Sequence, residues 1–211
     1  MTPAREPVLN PVAIDDLRPT QITVGMREVE AKRTAWRAKA GDDVKPGKAS
    51  EFLGQHMIPV IVGPKGRYYV TDHHHLALAL HKEGVEHVLV TVVADLQRLP
   101  PESFWFVLDN RGWMHPYDDK GRRQDADSIP KSVTGLVDDP YRSLAGVLRQ
   151  VGGYAKDTTP FSEFLWADFL RRRVDQKLLE QQFNEALKQA MQLATGKEAD
   201  YLPGWCGTVA R

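Results

Sequence analysis

The sequence predicts an α+β fold, in which a compact core of strands and short helices ends near Leu99 and a helical region follows. Three observations predict it. Two β-prone runs, IPVIVG and RYYVT, flank a Pro-Lys-Gly turn within residues 58–71, the pattern of a hairpin. A short helix (Leu76 to Leu80, with Gly84 to stop it) and the β-branched run HVLVTVVADL come next, giving strand, helix and strand in order. From residue 139 the pattern changes to three helical segments, at 139–153, 160–174 and 175–195.

The elements follow in chain order. Residues 1–23 are extended and punctuated by proline, with Val12, Ile14 and Leu17 seeding a short edge strand before Pro19. From Val24 to Ala40, Met26, Val29, Arg33 and Trp36 recur at helical spacing, while Glu28, Glu30, Lys32 and Arg37 fall on other faces. Gly41 closes that helix, and GDDVKPGKAS reads as a polar loop. HVLVTVVADL has the composition of a buried strand. Pro101–Asn110 suits a short helix, and GWMHPYDDKGRRQDADSIPKS is a long polar loop in which His115 and Asp118 are placed to close over a pocket. The stripe Phe161, Phe164, Leu165, Trp166 and Phe169 is a core pattern, and Trp205 anchors the irregular tail.

Composition narrows the function classes. Lys plus Arg and Asp plus Glu number 28 each, so nucleic-acid binding would need a local basic patch and net charge does not support it. The short runs Lys120–Gln124 and Arg171–Arg173 are the candidates for such a patch, and no helix-turn-helix is evident. The single Cys206 excludes an internal disulfide framework. No apolar run approaches the roughly 20 residues that span a bilayer. A cytoplasmic protein without membrane partners is expected, and its oligomeric state is not encoded in any pattern here.

The chemistry concentrates in RYYVTDHHHLALALHKEG, residues 67–84. A strand meets Asp72, placed near a helix N-cap, and His73, His74 and His75 fall in the first turn. The free N–H groups and positive dipole end of such a turn attract anions. Imidazoles there add hydrogen-bond donors, move protons or bind a metal. Zinc is not expected, because His74 and His81 lie about 10 Å apart along a helix and neither HExxH nor a Cys/His pattern occurs. Mg²⁺ held by Asp72 and by substrate phosphate suits the turn better.

These residues resemble a known family. LRPTQITVGMREVEAKR, followed by strand–Asp-His-His-His–helix, is similar to the ParB/sulfiredoxin superfamily and within it to the ParB-like nuclease family. DDPYRSLAGVLRQVGGY and FSEFLWADFLRR resemble that family's helical part. The resemblance implies a mixed sheet with short helices, a phosphate- or nucleotide-binding core over 1–99, and a helical region over 100–211 packed on it. Superfamily relatives include a CTP-hydrolysing DNA clamp, an ATP-dependent sulfinic acid reductase and a free-serine kinase. Against a phosphate motif like Asp-Gly-His-His-Arg, Asp72, His74 and His75 match, while His73 replaces glycine and Leu76 replaces arginine. Glu28 or Glu30, with Glu30 the preferred of the two, matches the general base of the kinase-like relatives. The implied ligand is a phosphate-containing small molecule or a nucleotide (ATP, ADP or CTP). The implied chemistry is phosphoester hydrolysis or phosphoryl transfer, as in a nuclease, a small-molecule kinase or an NTPase. The alternative is a non-catalytic nucleotide- or nucleic-acid-binding module.

Overall fold

A computed structural model describes residues 11–40 and 46–207. Strands β1 (Pro11–Ala13) and β2 (Leu17–Arg18) flank a 3₁₀ turn, and β3 (Thr23–Val24) leads into helix α1 (Met26–Ala40). Helix α2 (Pro46–Gln55) precedes the hairpin of β4 (Ile58–Gly63) and β5 (Arg67–Val70). Helix α3 (His74–Lys82), strand β6 (His87–Asp95) and helix α4 (Pro101–Asn110) follow. After the long loop come β7 (Val137–Asp138), α5 (Pro140–Gln150), α6 (Ser162–Arg171), α7 (Gln176–Gln181) and α8 (Phe183–Thr195).

Five strands form a mixed sheet in the order β1-β6-β4-β5-β2. β4 pairs antiparallel with β5 and parallel with β6, with Val60 opposite Val70 and Val92. β3 and β7 form a separate parallel pair, which ties the segment before α1 to the segment before α5. The architecture is therefore α+β, with a mixed sheet and short helices.

Apolar burial gathers in three clusters. Leu17, Val29, Ile58, Val60, Val70 and Leu80 lie between the sheet and helices α1–α3. Tyr141, Leu148, Trp166, Phe169 and Leu170 hold the C-terminal helices together. Ile61 and Tyr69 from the sheet pack on Phe104 and Leu108 of α4 and on Met114 and Ile129 of the long loop. Each fully buried large apolar side chain contributes about 1.5–3 kcal/mol, which is why α6 is fixed by Trp166 and Phe169.

Four sequence expectations need correction. The polar loop expected over 41–50 is helical from Pro46, because proline suits the first helical turn and Phe52 then packs edge-on against Trp36; residues 41–45 lie outside the described residues. β6 is not buried on both faces: β1 reaches only Leu89, and Val92 and Val93 beyond it are half exposed. The helix expected over 175–195 breaks at Gln182, whose φ of −139° and ψ of 59° are not helical, giving α7 and α8. The first helix begins at Met26 rather than Val24, because Val24 is taken into the pair with β7.

Candidate active site

The turn from β5 into α3 starts differently from its sequence reading. His73, not Asp72, is the N-cap of α3, and its backbone is left-handed at φ 65°. Asp72 Oδ1 accepts the His73 N–H at 2.6 Å, which holds the turn in that conformation. No side chain caps the helix. Among the described residues, the N–H groups of His74, His75 and Leu76 have no acceptor, while Ala77 N–H already donates to the His73 carbonyl. The first turn of α3 therefore presents free donors at the positive end of a helix.

His74 and His75 are held by the segment before α1. Thr20 N–H donates to His74 Nε2 (3.1 Å), and Gly25 N–H donates to His75 Nε2 (3.0 Å). Both imidazoles are thus neutral acceptors at Nε2, with the proton on Nδ1. Burial lowers His74 to about 3, helped by its neighbour His75. Burial also lowers His75 well below the usual histidine range, with Arg142 and Lys32 adding to the effect. With Nε2 accepting a backbone N–H in each case, neither ring offers that nitrogen to the cleft as a donor. The rings position Thr20–Gly25 against α3.

That positioning brings α1 and α5 to the turn. Gly25 allows it, since a Cβ there would lie 2.9 Å from the Ser143 backbone nitrogen. Met26 N–H donates to Asp138 Oδ1 and Arg27 N–H to Ser143 Oγ, so the start of α1 is capped by residues distant in sequence. Glu28 then reaches the turn, 3.3 Å from Arg142 Nη1 of α5 and 3.7 Å from His75 Nε2. Glu30 does not: it is exposed and pairs with Arg33. The two glutamates sit on different faces of α1. Lys32, one helical turn beyond Glu28, shares its face and lines the same cleft.

The cleft has a volume of about 460 Å³ and is walled by Glu28, Asp72–His75, Arg142, Arg149 and the segment Lys156–Phe164. Arg142 is buried, and its Nε has no hydrogen-bond partner among the described residues. Gly146 leaves room for this guanidinium, because a Cβ there would stand 3.1 Å from Arg142 Nη1. The N-terminus of α6 also faces the cleft, with Phe161 as a left-handed N-cap and no side-chain cap. Two uncapped helix starts and a buried arginine suit an anion. Among the described residues, no group of three or more His, Cys, Asp or Glu side chains could hold a metal ion.

His115 and Asp118 do not close over this cleft. His115 stacks on Phe164 and Tyr117, and its N–H donates to the Thr20 carbonyl. Burial, with Arg142 and Arg171 adding to it, lowers its ring to about 3. Asp118 accepts the N–H groups of Lys120 and Arg122 and so shapes its own loop. Arg142, Arg149 and Phe161 were not singled out as site residues from sequence. The signal for Arg142 was a lone charge on the apolar face of α5, beside Tyr141, Leu144 and Ala145.

The fold and cleft define a mixed-sheet α+β protein with a polar cleft at a strand-to-helix turn. A model of the family described as "Putative ParB-like nuclease" matches residues 10–172, and the chain belongs to this ParB-like nuclease family, within the ParB/sulfiredoxin superfamily. The crystal structure of protein Atu1540 from Agrobacterium tumefaciens is similar, with a TM-score of 0.86 and 53% sequence identity over 96% of this chain and 100% of that one. No curated protein matches the chain. No helix among the described residues is long and apolar enough to cross a membrane.

Proposed function

We propose that the cleft binds a phosphate-bearing small molecule or nucleotide and carries out phosphoester hydrolysis or phosphoryl transfer at the Asp72–His75 turn. The observation that carries this reading is Arg142, buried beside the free N–H groups of α3 with its Nε unpartnered. Phosphoryl oxygens accept from the His74, His75 and Leu76 amides and from the guanidinium, and Lys32 adds positive charge at the rim. Glu28 removes a proton from the attacking water or hydroxyl, whose oxygen bonds to phosphorus as the bond to the leaving oxygen breaks. His74 and His75 act as positioning residues through Thr20 and Gly25. Mg²⁺ enters only as a companion of bound phosphate, and no step is assigned to it.

A small ligand suits the surface better than a long nucleic acid. Four arginines of the basic runs are engaged internally: Arg171 with Asp139, Arg172 with Asp168, Arg173 with Glu198 and Arg123 with Asp109. A binding module without turnover is favoured by one observation, that Arg142 already engages Glu28.

Thermal unfolding tests the reading, using wild type and Arg142→Lys with ATP, ADP, CTP, inorganic phosphate and single-stranded DNA, each with and without Mg²⁺. A ligand at 100 times its Kd stabilises by about 2.7 kcal/mol. The expected result is a raised Tm with a phosphate compound that shrinks in Arg142→Lys. No shift with any compound would sink the phosphate reading, and a shift with a compound that a separate turnover assay finds unconverted would leave the module.

A further inference from the structure

A groove of about 210 Å³ lies where the β4–β5 turn, helix α4 and the end of the long loop meet, and it shares no lining residue with the cleft. The sheet sets its floor. Arg67 and Tyr69 alternate along β5 and so face the same side, and the parallel register places Arg18 of the outer strand β2 opposite Tyr69. Two arginines therefore flank a buried tyrosine that packs on Phe104 and Trp105 of α4, with ring centroids 4.6 and 5.5 Å away. Lys65 of the turn and Lys131 of the loop complete the walls. Lys65 (φ 64°) and Gly66 (φ 69°) are both left-handed, the pattern of a tight hairpin turn whose first central position normally takes Asn, Asp or Gly. A lysine held there adds a cation to the groove wall.

Charge distinguishes this groove. Arg18, Lys65, Arg67 and Lys131 have no hydrogen-bond or ion-pair partner among the described residues, and Asp127 is the single acid on the walls. Elsewhere the chain sets cations against acids, as Arg33 and Arg37 do around Glu83. Like charges gathered with one counter-charge repel each other, and an anionic partner relieves that repulsion. The volume falls below the roughly 300–1,000 Å³ of small-molecule sites, so the groove suits a chain that inserts a side chain or two. Its aromatic floor does not suit bases. Tyr69, Phe104 and Trp105 meet one another at 51–86°, a mutually packed cluster in place of the platform on which successive bases stack. Pro19, Pro64, Pro101 and Pro130 add apolar walls without N–H donors, which fits an extended segment lying against rings and prolines.

We infer that this groove docks an extended acidic segment of a partner protein, its carboxylates set among Arg18, Lys65, Arg67 and Lys131. The groove and the phosphate cleft have separate walls, so either can fail without the other.

Fluorescence anisotropy tests the docking site with three labelled probes: a decapeptide of Glu-Pro repeats, its neutral Gln-Pro counterpart and a thymidine decanucleotide. The proteins are wild type, the double variant Lys65→Gln with Arg67→Gln, and Lys120→Gln, which removes an exposed cation outside the groove. Every replaced residue is exposed, so the variants keep the fold. The acidic peptide should bind wild type about tenfold tighter than the neutral one or better. The double variant should weaken it roughly three- to thirtyfold, the scale of two exposed charge pairs, and Lys120→Gln should leave it unchanged. No binding of the acidic peptide, equal binding of the two peptides, no loss in the double variant, or the same loss in Lys120→Gln would each overturn the docking site. Tighter binding of the decanucleotide, weakened in the double variant, would assign the groove to single-stranded nucleic acid and overturn the acidic segment as its occupant.

Discussion

His75 accepts the Gly25 amide at 3.0 Å through Nε2, and this bond joins the first turn of α3 to the residue before α1. His74 does the same for Thr20 at 3.1 Å. Two neighbouring imidazoles thus fix both ends of a six-residue segment whose far side is paired with the chain before α5.

Removing either ring therefore disturbs the scaffold first. His74→Ala leaves the buried Thr20 N–H without its acceptor and opens a void, and stability should fall by about 2–4 kcal/mol. Urea unfolding followed by tryptophan fluorescence measures the loss. A variant as stable as wild type would show that the bond contributes little.

The same burial predicts a pH dependence. His74, His75 and His115 are all lowered and so are neutral in the folded chain near pH 7. Once unfolded, each takes up a proton near pH 6.5, so the unfolded chain binds more protons and stability falls on acidification. The contribution is complete above the unfolded value and is lost as pH falls from there toward the folded value, about 3 for His74 and His115. Each group adds a slope of about 1.4 kcal/mol per pH unit in that window. His115→Phe keeps a ring in the aromatic cluster and should flatten the curve by about one such slope. Urea midpoints at pH 7, 6, 5 and 4 compare the two proteins, and identical slopes would contradict the burial argument.

Glu28→Gln and Glu30→Gln separate the two glutamates. Only Glu28 lines the cleft, so its replacement should slow product formation by about 10²–10⁴-fold if it is the base, while Glu30→Gln leaves the rate unchanged. Equal effects in a steady-state assay on the ligand found by thermal unfolding would remove Glu28 from that role.

Much of this was legible in the chain, for physical reasons that differ by element. The hairpin at 58–71 and the helix after it carry local signals, and the Asp72–His75 turn was visible because strand and helix propensities change within a few residues. Sequence does not separate Glu28 from Glu30, because both fit the motif segment, and only the packing of Val29 and Trp36 decides which face of α1 turns inward. The cleft wall supplied by Arg142, Arg149 and Phe161 is contiguous only in space. The aromatic stripe of α6 read as core throughout, yet it divides between Trp166 and Phe169 in the core and Phe161 and Phe164 at the cleft.

His73 offers a test in the favourable direction. Its backbone lies at φ 65°, where glycine is at ease, and its side chain is exposed. His73→Gly should leave stability unchanged or raise it by up to about 1 kcal/mol, whereas His73→Val should lower it by about 1–2 kcal/mol. Thermal unfolding of the pair checks the backbone argument, and a stable valine variant would refute it.

Asp139 is the costlier position. Its carboxylate is buried, pairs with Arg171 at 2.6 Å and accepts the Tyr141 and Arg142 N–H groups at the start of α5. Burial pushes its pKa up and the Arg171 guanidinium opposes that. Asp139→Ala should destabilise by about 3–5 kcal/mol, since it strands a buried charge and uncaps a helix. At about 2–4 °C per kcal/mol, a fall of less than 5 °C in Tm would contradict this.

The bonds that seat the start of α1 reach across 50, 112 and 116 residues of chain, to His75, Asp138 and Ser143. Contacts that distant form only after long loops have closed, and they come late in folding. On the ribosome, the hairpin and α3 can therefore be complete while the cleft is still missing a wall. A nascent chain gains that wall only when the segment ending at Phe164 has emerged, so a truncated product of this message carries the histidine turn without a complete cleft.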